Sequence, residues 1–228
     1  MNLVVYGHWG PPMLLFPTSG GDEWEAEHQG LIGAIEEFIE PGRVKVYALG
    51  SVNKESFYDR QASPLHRSYV QSRFDAYVHQ EVMPFVDQDC QSPGIALTTA
   101  GASFGAYHAV NTLLKHPDRV KRGFGLSGLY DLRRFMDGQY DDNFYFNNPI
   151  DYVGGLPDEI VAQLAACDIH LVTGTGPWEH PQWSYDLSAA LARRGIKHSL
   201  DDWGPDGGHD WPYWKAQMRE YLRRYFAQ

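Results

Sequence analysis

The sequence predicts an α/β fold with a mostly parallel central sheet and helices on both of its faces. Short apolar runs, most of them apolar at nearly every position, alternate along the chain with longer segments of helical periodicity. Such runs are typical of strands buried on both faces of a parallel sheet, and the alternation favours right-handed strand–helix–strand units. The length of 228 residues suits one domain, residues 1–228, with its own core.

The strands are predicted from their apolar character. Their expected positions are Leu3–Tyr6, Met13–Phe16, Val44–Leu49, Ile95–Ala100, Gly123–Leu126, Ile169–Val172 and Ser199–Trp203. The turn-rich stretch Gly7–Pro12 joins the first two and is short enough for a β-hairpin. We therefore expect Leu3–Tyr6 to be an antiparallel strand at the edge of the sheet.

The helices are predicted from periodicity and from residues that end a helix. One apolar stripe with a 3.6-residue period consists of Val70, Phe74, Tyr77, Val78, Val82 and Phe85. A helix over Phe104–Lys115 should end before His116-Pro117-Asp118, because proline cannot continue it. Another stripe, Trp183, Leu187, Ala190 and Leu191, is closed by Gly195, and a last helix over Tyr213–Phe226 has Pro212 at its opening turn.

The segment 132–166 is the least regular part of the chain and is rich in Asp, Asn, Tyr, Phe and Gly. It lies between two predicted strands. A small cap, an active-site rim and an ordinary surface connection all fit this composition.

The charge and composition exclude several classes of partner. The formal net charge of −10 favours neither phosphate backbones nor anionic lipid, so we expect no nucleic acid and no membrane partner. No run of about 18 apolar residues occurs that could span a bilayer. The opening residues lack the basic and apolar regions of a signal peptide, so we expect a cytoplasmic protein with Cys90 and Cys167 reduced.

The strongest motif is Gly101-Ala102-Ser103-Phe104-Gly105, a G-x-S-x-G between a predicted strand and a predicted helix. This context is typical of a sharp turn that exposes a nucleophilic serine. The amide N–H of Phe104, at the start of the helix, would then help to bind a developing oxyanion. A non-catalytic Gly/Ser turn and a nucleotide-binding glycine loop are the alternatives, although the latter usually follows a first strand.

A serine hydroxyl needs a base, and His209 is the best candidate among the 10 histidines. It follows the last predicted strand, after the flexible pair Gly207-Gly208, as the order Ser…acid…His requires. The alternative is a surface histidine beside the terminal helix.

The acid that orients the histidine should follow the strand Ile169–Val172. Glu179 is the first acidic residue after that strand and is our candidate. The sequence leaves other carboxylates open as the acid: Asp186, Asp202, Asp206 and, at a greater distance, Asp151.

The loop Pro17–Asp22, after the second predicted strand, should supply the second oxyanion donor. We expect the N–H of Ser19, with Gly20 next. Trp178 and Trp211 lie near the predicted acid and base and are candidates for a substrate pocket, although such residues more often only pack.

Together these motifs resemble the "Putative esterase" family of the α/β-hydrolase superfamily, which includes esterase D-like, feruloyl-esterase-like and polyhydroxybutyrate-depolymerase-like enzymes. The matching pieces are Gly101–Gly105, His116-Pro117-Asp118, Leu126–Asp131 and Gly208–Trp211 with Trp214. The chain differs from the family pattern in the oxyanion loop, where Pro17-Thr18 replaces a frequent histidine–glycine pair, and in having glutamate rather than aspartate as the candidate acid.

The resemblance implies an α/β-hydrolase fold and a carboxylic-ester hydrolase that uses Ser103, His209 and an acid near Glu179, without metal or cofactor. A compact chain with at most a short cap favours a small or short-acyl ester as substrate. An acyltransferase or thioesterase would use the same residues, and a non-catalytic binding module could retain the scaffold. The sequence leaves open whether the chain forms a homo-oligomer.

Overall fold

The computed structural model describes residues 1–227 and has a seven-stranded sheet at its centre. The strands are β1 Leu3–Tyr6, β2 Pro12–Phe16, β3 Lys45–Leu49, β4 Leu97–Ala102, β5 Val120–Leu126, β6 Asp168–Thr173 and β7 Ser199–Asp202. Their order in the sheet is β1-β3-β2-β4-β5-β6-β7. Every neighbouring pair is parallel except β1 and β3, which confirms the predicted mostly parallel sheet.

Helices surround this sheet. The α-helices are α1 Glu25–His28, α2 Leu31–Ala34, α3 Glu36–Ile39, α4 Pro64–Tyr77, α5 Met83–Asp89, α6 Phe104–Lys115, α7 Asp142–Tyr145, α8 Pro149–Tyr152, α9 Asp158–Leu164, α10 Pro181–Arg193 and α11 Trp211–Phe226. A π-helical turn, Val78–Val82, joins α4 to α5. Short 3-10 turns are formed by Arg133–Phe135, Val153–Gly155 and Gly204–Asp206.

Two apolar clusters form the core, one on each face of the sheet. Strand β2 shows the alternation that separates them, because Leu14 and Phe16 belong to one cluster while Met13 and Leu15 belong to the other. Helices α4, α5, α6 and α10 pack on the first face, and α1, α2, α3 and α11 pack on the second. The sheet is therefore buried on both sides, as its continuous apolar runs predict.

The predicted hairpin between the first two strands is wrong, although β1 is an antiparallel edge strand as expected. Strand β1 pairs with β3, with Leu3 opposite Leu49 and Tyr6 opposite Val46. Both edges of β2 are occupied by the parallel partners β3 and β4, so no edge of β2 is left for β1. The connection after β1 therefore passes over one strand position.

The predicted stripe over residues 70–85 is correct at its start and wrong at its end. Phe74, Val78 and Val82 are buried, whereas Phe85 is 41% exposed. The π-helical turn uses more residues per turn than an α-helix, so the buried face after it shifts to Met83 and Val86.

The segment 132–166 contains α7, α8, α9 and two of the 3-10 turns between β5 and β6. Cys90 and Cys167 are not joined to each other, as predicted. Within residues 1–227, no helix has the length and apolar character that crossing a membrane requires.

Candidate active site

Ser103 occupies a strained turn between β4 and α6. Its backbone has φ 56° and ψ −119°, a region that residues other than glycine rarely adopt, and its N–H donates to the carbonyl of Leu126 at 2.8 Å. A Cβ atom at Gly101 would overlap the Gly105 carbonyl. A Cβ atom at Gly105 would overlap the Phe16 carbonyl and lie 2.7 Å from the Pro17 oxygen. Both glycines are therefore required for the close packing that holds this turn.

The side chains of Ser103 and His209 meet. The distance between His209 Nε2 and Ser103 Oγ is 2.9 Å, which is a hydrogen bond. His209 lies in the loop after β7, where its N–H donates to the Pro177 carbonyl at 2.9 Å. The ring of Trp214, on α11, packs edge-on against the imidazole with centroids 5.1 Å apart. The backbone of His209 is thus held by Pro177 and its imidazole by Trp214, with Nε2 towards the serine.

Glu179 lies on the other side of the imidazole. Its Oε2 atom is 3.9 Å from His209 Nδ1, and its side chain is only 1% exposed. Within residues 1–227 neither of these two buried atoms has a hydrogen-bond partner. At 3.9 Å the contact is electrostatic and not yet a hydrogen bond, and such contacts often tighten when substrate binds. Each of these two atoms is therefore free to form a hydrogen bond with the other.

The pKa of the Glu179 carboxyl lies below its ordinary value. Burial alone would raise this pKa, but polar contacts with the His209 imidazole, the Ser127 hydroxyl and the His180 N–H together outweigh that effect. The His180 N–H donates to Glu179 Oε1 at 3.1 Å. Glu179 is consequently ionised at neutral pH and can stabilise a positive imidazolium.

The other candidate acids lie elsewhere. Asp186 accepts a hydrogen bond from Gln182 on the exposed face of α10, at 2.7 Å. Asp202 accepts from the Tyr185 hydroxyl, and Asp206 is exposed in a 3-10 turn. Asp151 pairs with Arg133. Among the described residues, Glu179 is the one carboxylate within 4.0 Å of His209.

Thr18, in the loop after β2, forms hydrogen bonds through both its N–H and its carbonyl. The N–H of Thr18 donates to Glu25 Oε2 at 2.7 Å, so this N–H is not available to a substrate. The Thr18 carbonyl accepts from Asn53 Nδ2 at 3.1 Å. Because a trans peptide points its N–H away from its carbonyl, the contact with Asn53 also fixes the direction of the Ser19 N–H.

Asn53 is itself held by His108. Its Oδ1 atom lies 2.8 Å from His108 Nε2, and both residues are buried. Burial lowers the pKa of His108 to about 3, so this imidazole is neutral. Since Asn53 Oδ1 can only accept, the proton of His108 is on Nε2. No local pattern in the sequence distinguishes Asn53 from an ordinary loop asparagine.

Ser127 is a second residue that the sequence analysis did not assign to the site, although it belongs to the matching stretch Leu126–Asp131. Its side chain is buried, its φ is 52°, and its Oγ accepts from Trp214 Nε1 at 3.0 Å. Its hydroxyl is one of the contacts that lower the pKa of Glu179. Ser127 therefore links Trp214, which packs on the base, to the acid.

The two candidate pocket tryptophans differ. Trp178 is 83% exposed, with φ 63°. Contrary to our expectation, its side chain does not enclose a pocket. It stands in the turn before Glu179, whose burial directs the neighbouring side chain outwards. Trp211 packs on Trp214 and lines a cavity of about 20 Å³ beside Ala102 and Pro17, enough for about one water molecule.

Comparisons with known proteins identify the family and the fold of the chain. The family model described as "Putative esterase" matches residues 42–225. No curated protein sequence matches the chain. Among solved structures, S-formylglutathione hydrolase from Agrobacterium tumefaciens has a TM-score of 0.72 at 13% identity, covering 99% of this chain and 88% of that one.

Two further structures are similar in the same way. A ferulic acid esterase from Anaeromyces mucronatus has a TM-score of 0.70 at 12% identity, covering 98% of this chain and 84% of that one. S-formylglutathione hydrolase from Staphylococcus aureus has a TM-score of 0.65 at 16% identity, covering 97% and 82%. At these identities the likeness concerns the fold, and it confirms the predicted α/β-hydrolase fold.

Proposed function

Because the chain belongs to the "Putative esterase" family and is a carboxylic-ester hydrolase, we propose that it is of the serine type, with Ser103 as its nucleophile, His209 as its general base and Glu179 as its acid. The hydrogen bond of 2.9 Å between Ser103 and His209, at a strained strand–helix turn, carries this proposal. A nucleophile and its base within hydrogen-bond reach, with a third group behind the base, is the arrangement that serine hydrolysis needs.

The first half of the reaction forms an acyl-enzyme. Ser103 Oγ attacks the ester carbonyl carbon while its proton moves to His209 Nε2. The carbonyl oxygen becomes an oxyanion, and Glu179 stabilises the imidazolium. When the tetrahedral intermediate collapses, the bond to the alcohol breaks, and the alcohol leaves with the proton of His209.

The second half releases the acid. Water gives a proton to His209 Nε2 and attacks the acyl carbon, and the collapse of this second intermediate returns that proton to Ser103. The carboxylic acid leaves and the free enzyme is restored. This half distinguishes a hydrolase from an acyltransferase, in which an alcohol would take the place of water.

We assign the oxyanion donors to the N–H groups of Phe104 and Ser19, with Gly20 as the next candidate in the loop. Phe104 is the first residue of α6, where an N–H has no acceptor within its own helix. Asn53 supports the Ser19 N–H through the shared peptide group, so Asn53 is a positioning residue in this proposal. One oxyanion donor typically contributes about 3 kcal/mol to transition-state stabilisation.

Labelling with a fluorophosphonate probe tests the proposal, because the probe forms a covalent adduct only with an activated serine. We expect one adduct on Ser103 in the folded protein, and none in Ser103→Ala. The matched control is Ser92→Ala, which removes a serine hydroxyl before the opposite end of β4 and should label normally. Labelling at another serine, or none in folded wild-type protein, would overturn the assignment.

Hydrolysis of p-nitrophenyl esters supplies the second readout. Ser103→Ala should reduce kcat by at least about 10⁴-fold while circular dichroism stays unchanged. A series of acyl lengths tests the expected preference for a small or short acyl group. Partitioning of the acyl-enzyme between water and an added alcohol separates a hydrolase from an acyltransferase.

A further inference from the structure

A pocket of about 490 Å³ lies between the loop around residues 57–60, helix α4 and the 3-10 turn Arg133–Phe135. Its lining contains three arginines, Arg60, Arg67 and Arg134, and three aromatic residues, Phe57, Tyr58 and Phe135. With one carboxylate, Asp137, also in the lining, the three guanidinium groups leave the pocket positive, opposite in sign to the net charge of −10 of the whole chain.

This pocket contacts residues that neighbour the proposed nucleophile and the helix that follows the proposed acid. The rings of Tyr58 and Phe135 lie 5.2 Å and 6.0 Å from the ring of Phe104, the residue that directly follows Ser103. The guanidinium of Arg134 lies 5.3 Å from the ring of Trp183, near the start of α10. Helix α10 begins two positions after Glu179, so the pocket is at the same end of the sheet as the site.

The three arginines have different surroundings. Arg67 is buried and already bound: it donates to the carbonyls of Asp59 at 2.6 Å and Phe135 at 2.9 Å, and it pairs with Asp137 at 3.4 Å. We therefore assign Arg67 to holding the pocket together. It ties the 57–60 loop to the 3-10 turn and so fixes the spacing of the other two arginines.

Arg60 and Arg134 are exposed, and neither forms an ion pair within residues 1–227. The guanidinium of Arg134 stacks on Phe135 with 4.9 Å to the ring centroid, which restricts its movement and leaves its N–H groups free. A guanidinium offers paired donors that match a carboxylate or a phosphate, and the aromatic rings favour an apolar chain or ring that carries such a group.

We propose that Arg60 and Arg134 bind an anionic group of the substrate, so that the preferred esters carry a carboxylate or a phosphate on the part that enters this pocket. This inference rests on the proposed function of Ser103. It concerns only which ester is chosen, and the ester bond itself is broken by the residues described above.

Matched esters test the proposal. The anionic substrate is a p-nitrophenyl hemiester of glutaric acid, and the neutral reference is p-nitrophenyl pentanoate, which has the same chain length. We expect kcat/KM to be higher for the hemiester, through a lower KM, and the preference to fall as ionic strength rises. A phosphonate-ended ester of equal length shows which anion is preferred, and the acetate ester of 4-hydroxybenzoate tests an anion on the alcohol side.

Substitutions identify the binding groups. In Arg60→Gln with Arg134→Gln, we expect the ratio of kcat/KM for the anionic ester to that for the neutral ester to fall by about 10- to 100-fold. The control is Arg73→Gln, an exposed arginine of α4 outside the pocket, which removes one positive charge, as each of the two pocket substitutions does, and should leave the ratio unchanged.

Different results would contradict the anion-binding proposal and the proposed role of Ser103. A wild-type enzyme that is labelled at Ser103 and hydrolyses each of these anionic esters no better than a neutral ester of the same length would overturn the anion site and leave the esterase assignment intact. An unchanged ratio in the double variant would overturn it too. Absence of labelling and of turnover with every ester would instead overturn the role of Ser103.

Discussion

His209 Nε2 lies 2.9 Å from Ser103 Oγ although 106 positions separate the two residues in the chain. Ser103 follows β4 and His209 follows β7, and two strands, β5 and β6, lie between these in the sheet. The carboxyl ends of all four strands are at the same edge, because the strands are parallel. The loop after β7 extends back along that edge of the sheet, and this brings the two side chains together.

Replacing the acid tests the third member of the site. We expect Glu179→Gln to lower kcat by about 10²- to 10⁴-fold, because an uncharged amide cannot stabilise the imidazolium. Labelling by fluorophosphonate should slow in parallel. The control Asp186→Asn alters a rival carboxylate on α10 and should retain activity. If Glu179→Gln turns over substrate nearly as fast as the wild type, another residue is the acid.

Asn53 is expected to act on the transition state through the loop after β2. Asn53→Ala removes the side-chain donor to the Thr18 carbonyl and leaves only the N–H of Gly21, at 3.2 Å, so the Ser19 N–H is held less firmly. We predict that kcat falls by about 10- to 100-fold with little change in KM, somewhat less than the loss of a whole oxyanion donor.

A matched control separates this effect from simple loss of stability. Asn111 is also a buried asparagine, and it accepts from the Tyr152 hydroxyl at 2.8 Å, away from the oxyanion loop. Both Asn→Ala variants should lose about 1–3 kcal/mol of unfolding free energy, because each leaves buried polar groups unpaired. At temperatures well below the unfolding transition, only Asn53→Ala should have a reduced kcat. Equal losses of kcat in both variants would argue against the positioning role.

Gly105, two positions after Ser103, should tolerate no side chain. In Gly105→Ala the new methyl group would overlap the Phe16 carbonyl and press on Pro17, which leads into the oxyanion loop. We expect a loss of several kcal/mol in unfolding free energy, measured by urea denaturation, together with a large loss of kcat. Gly154→Ala has no atom within 4 Å of the added carbon and should be nearly neutral. A fully active and stable Gly105→Ala would show that this turn is less tightly packed.

The buried imidazole of His108 predicts how stability depends on pH. Its pKa is about 3 in the folded protein and about 6.5 in the unfolded chain, so between these values only the unfolded chain binds the proton. His108 therefore makes unfolding free energy decrease as the pH falls from about 6.5 towards 3, by at most about 1.4 kcal/mol per pH unit.

The variant His108→Gln should remove this contribution while keeping a donor for Asn53 Oδ1. Urea denaturation at several pH values should show a shallower slope for His108→Gln than for the wild type. His66→Gln, at an exposed position of α4, should leave the slope unchanged. Equal slopes for all three proteins would mean that His108 is protonated in the folded state.

Much of the architecture could be predicted from local patterns. Each of the seven strands lies at or within a few residues of its predicted run, and α6 has the predicted bounds, Phe104–Lys115. Buried strands and helix ends leave strong local signals, because apolar character and proline or glycine act within a few residues of the backbone. The G-x-S-x-G turn is recognisable for the same reason.

Other features had no local signal. The pairing of β1 with β3 depends on which strand edges remain free, and the exposure of Phe85 depends on a π-helical turn. Asn53 and Ser127 belong to the site only because α6, β5 and α11 bring their partners to them. Neither residue stands in a pattern that the sequence alone would connect to the loop or to the acid.

The amino-acid sequence by itself determined the fold class, the esterase family and the position of the serine at the turn, since each depends on residues close together in sequence. The tertiary structure decided which carboxylate faces His209, that Trp178 is exposed and which arginines line one pocket. Those contacts join segments far apart in the chain, and their distances are set by the packing of strands and helices, which no short stretch of residues encodes.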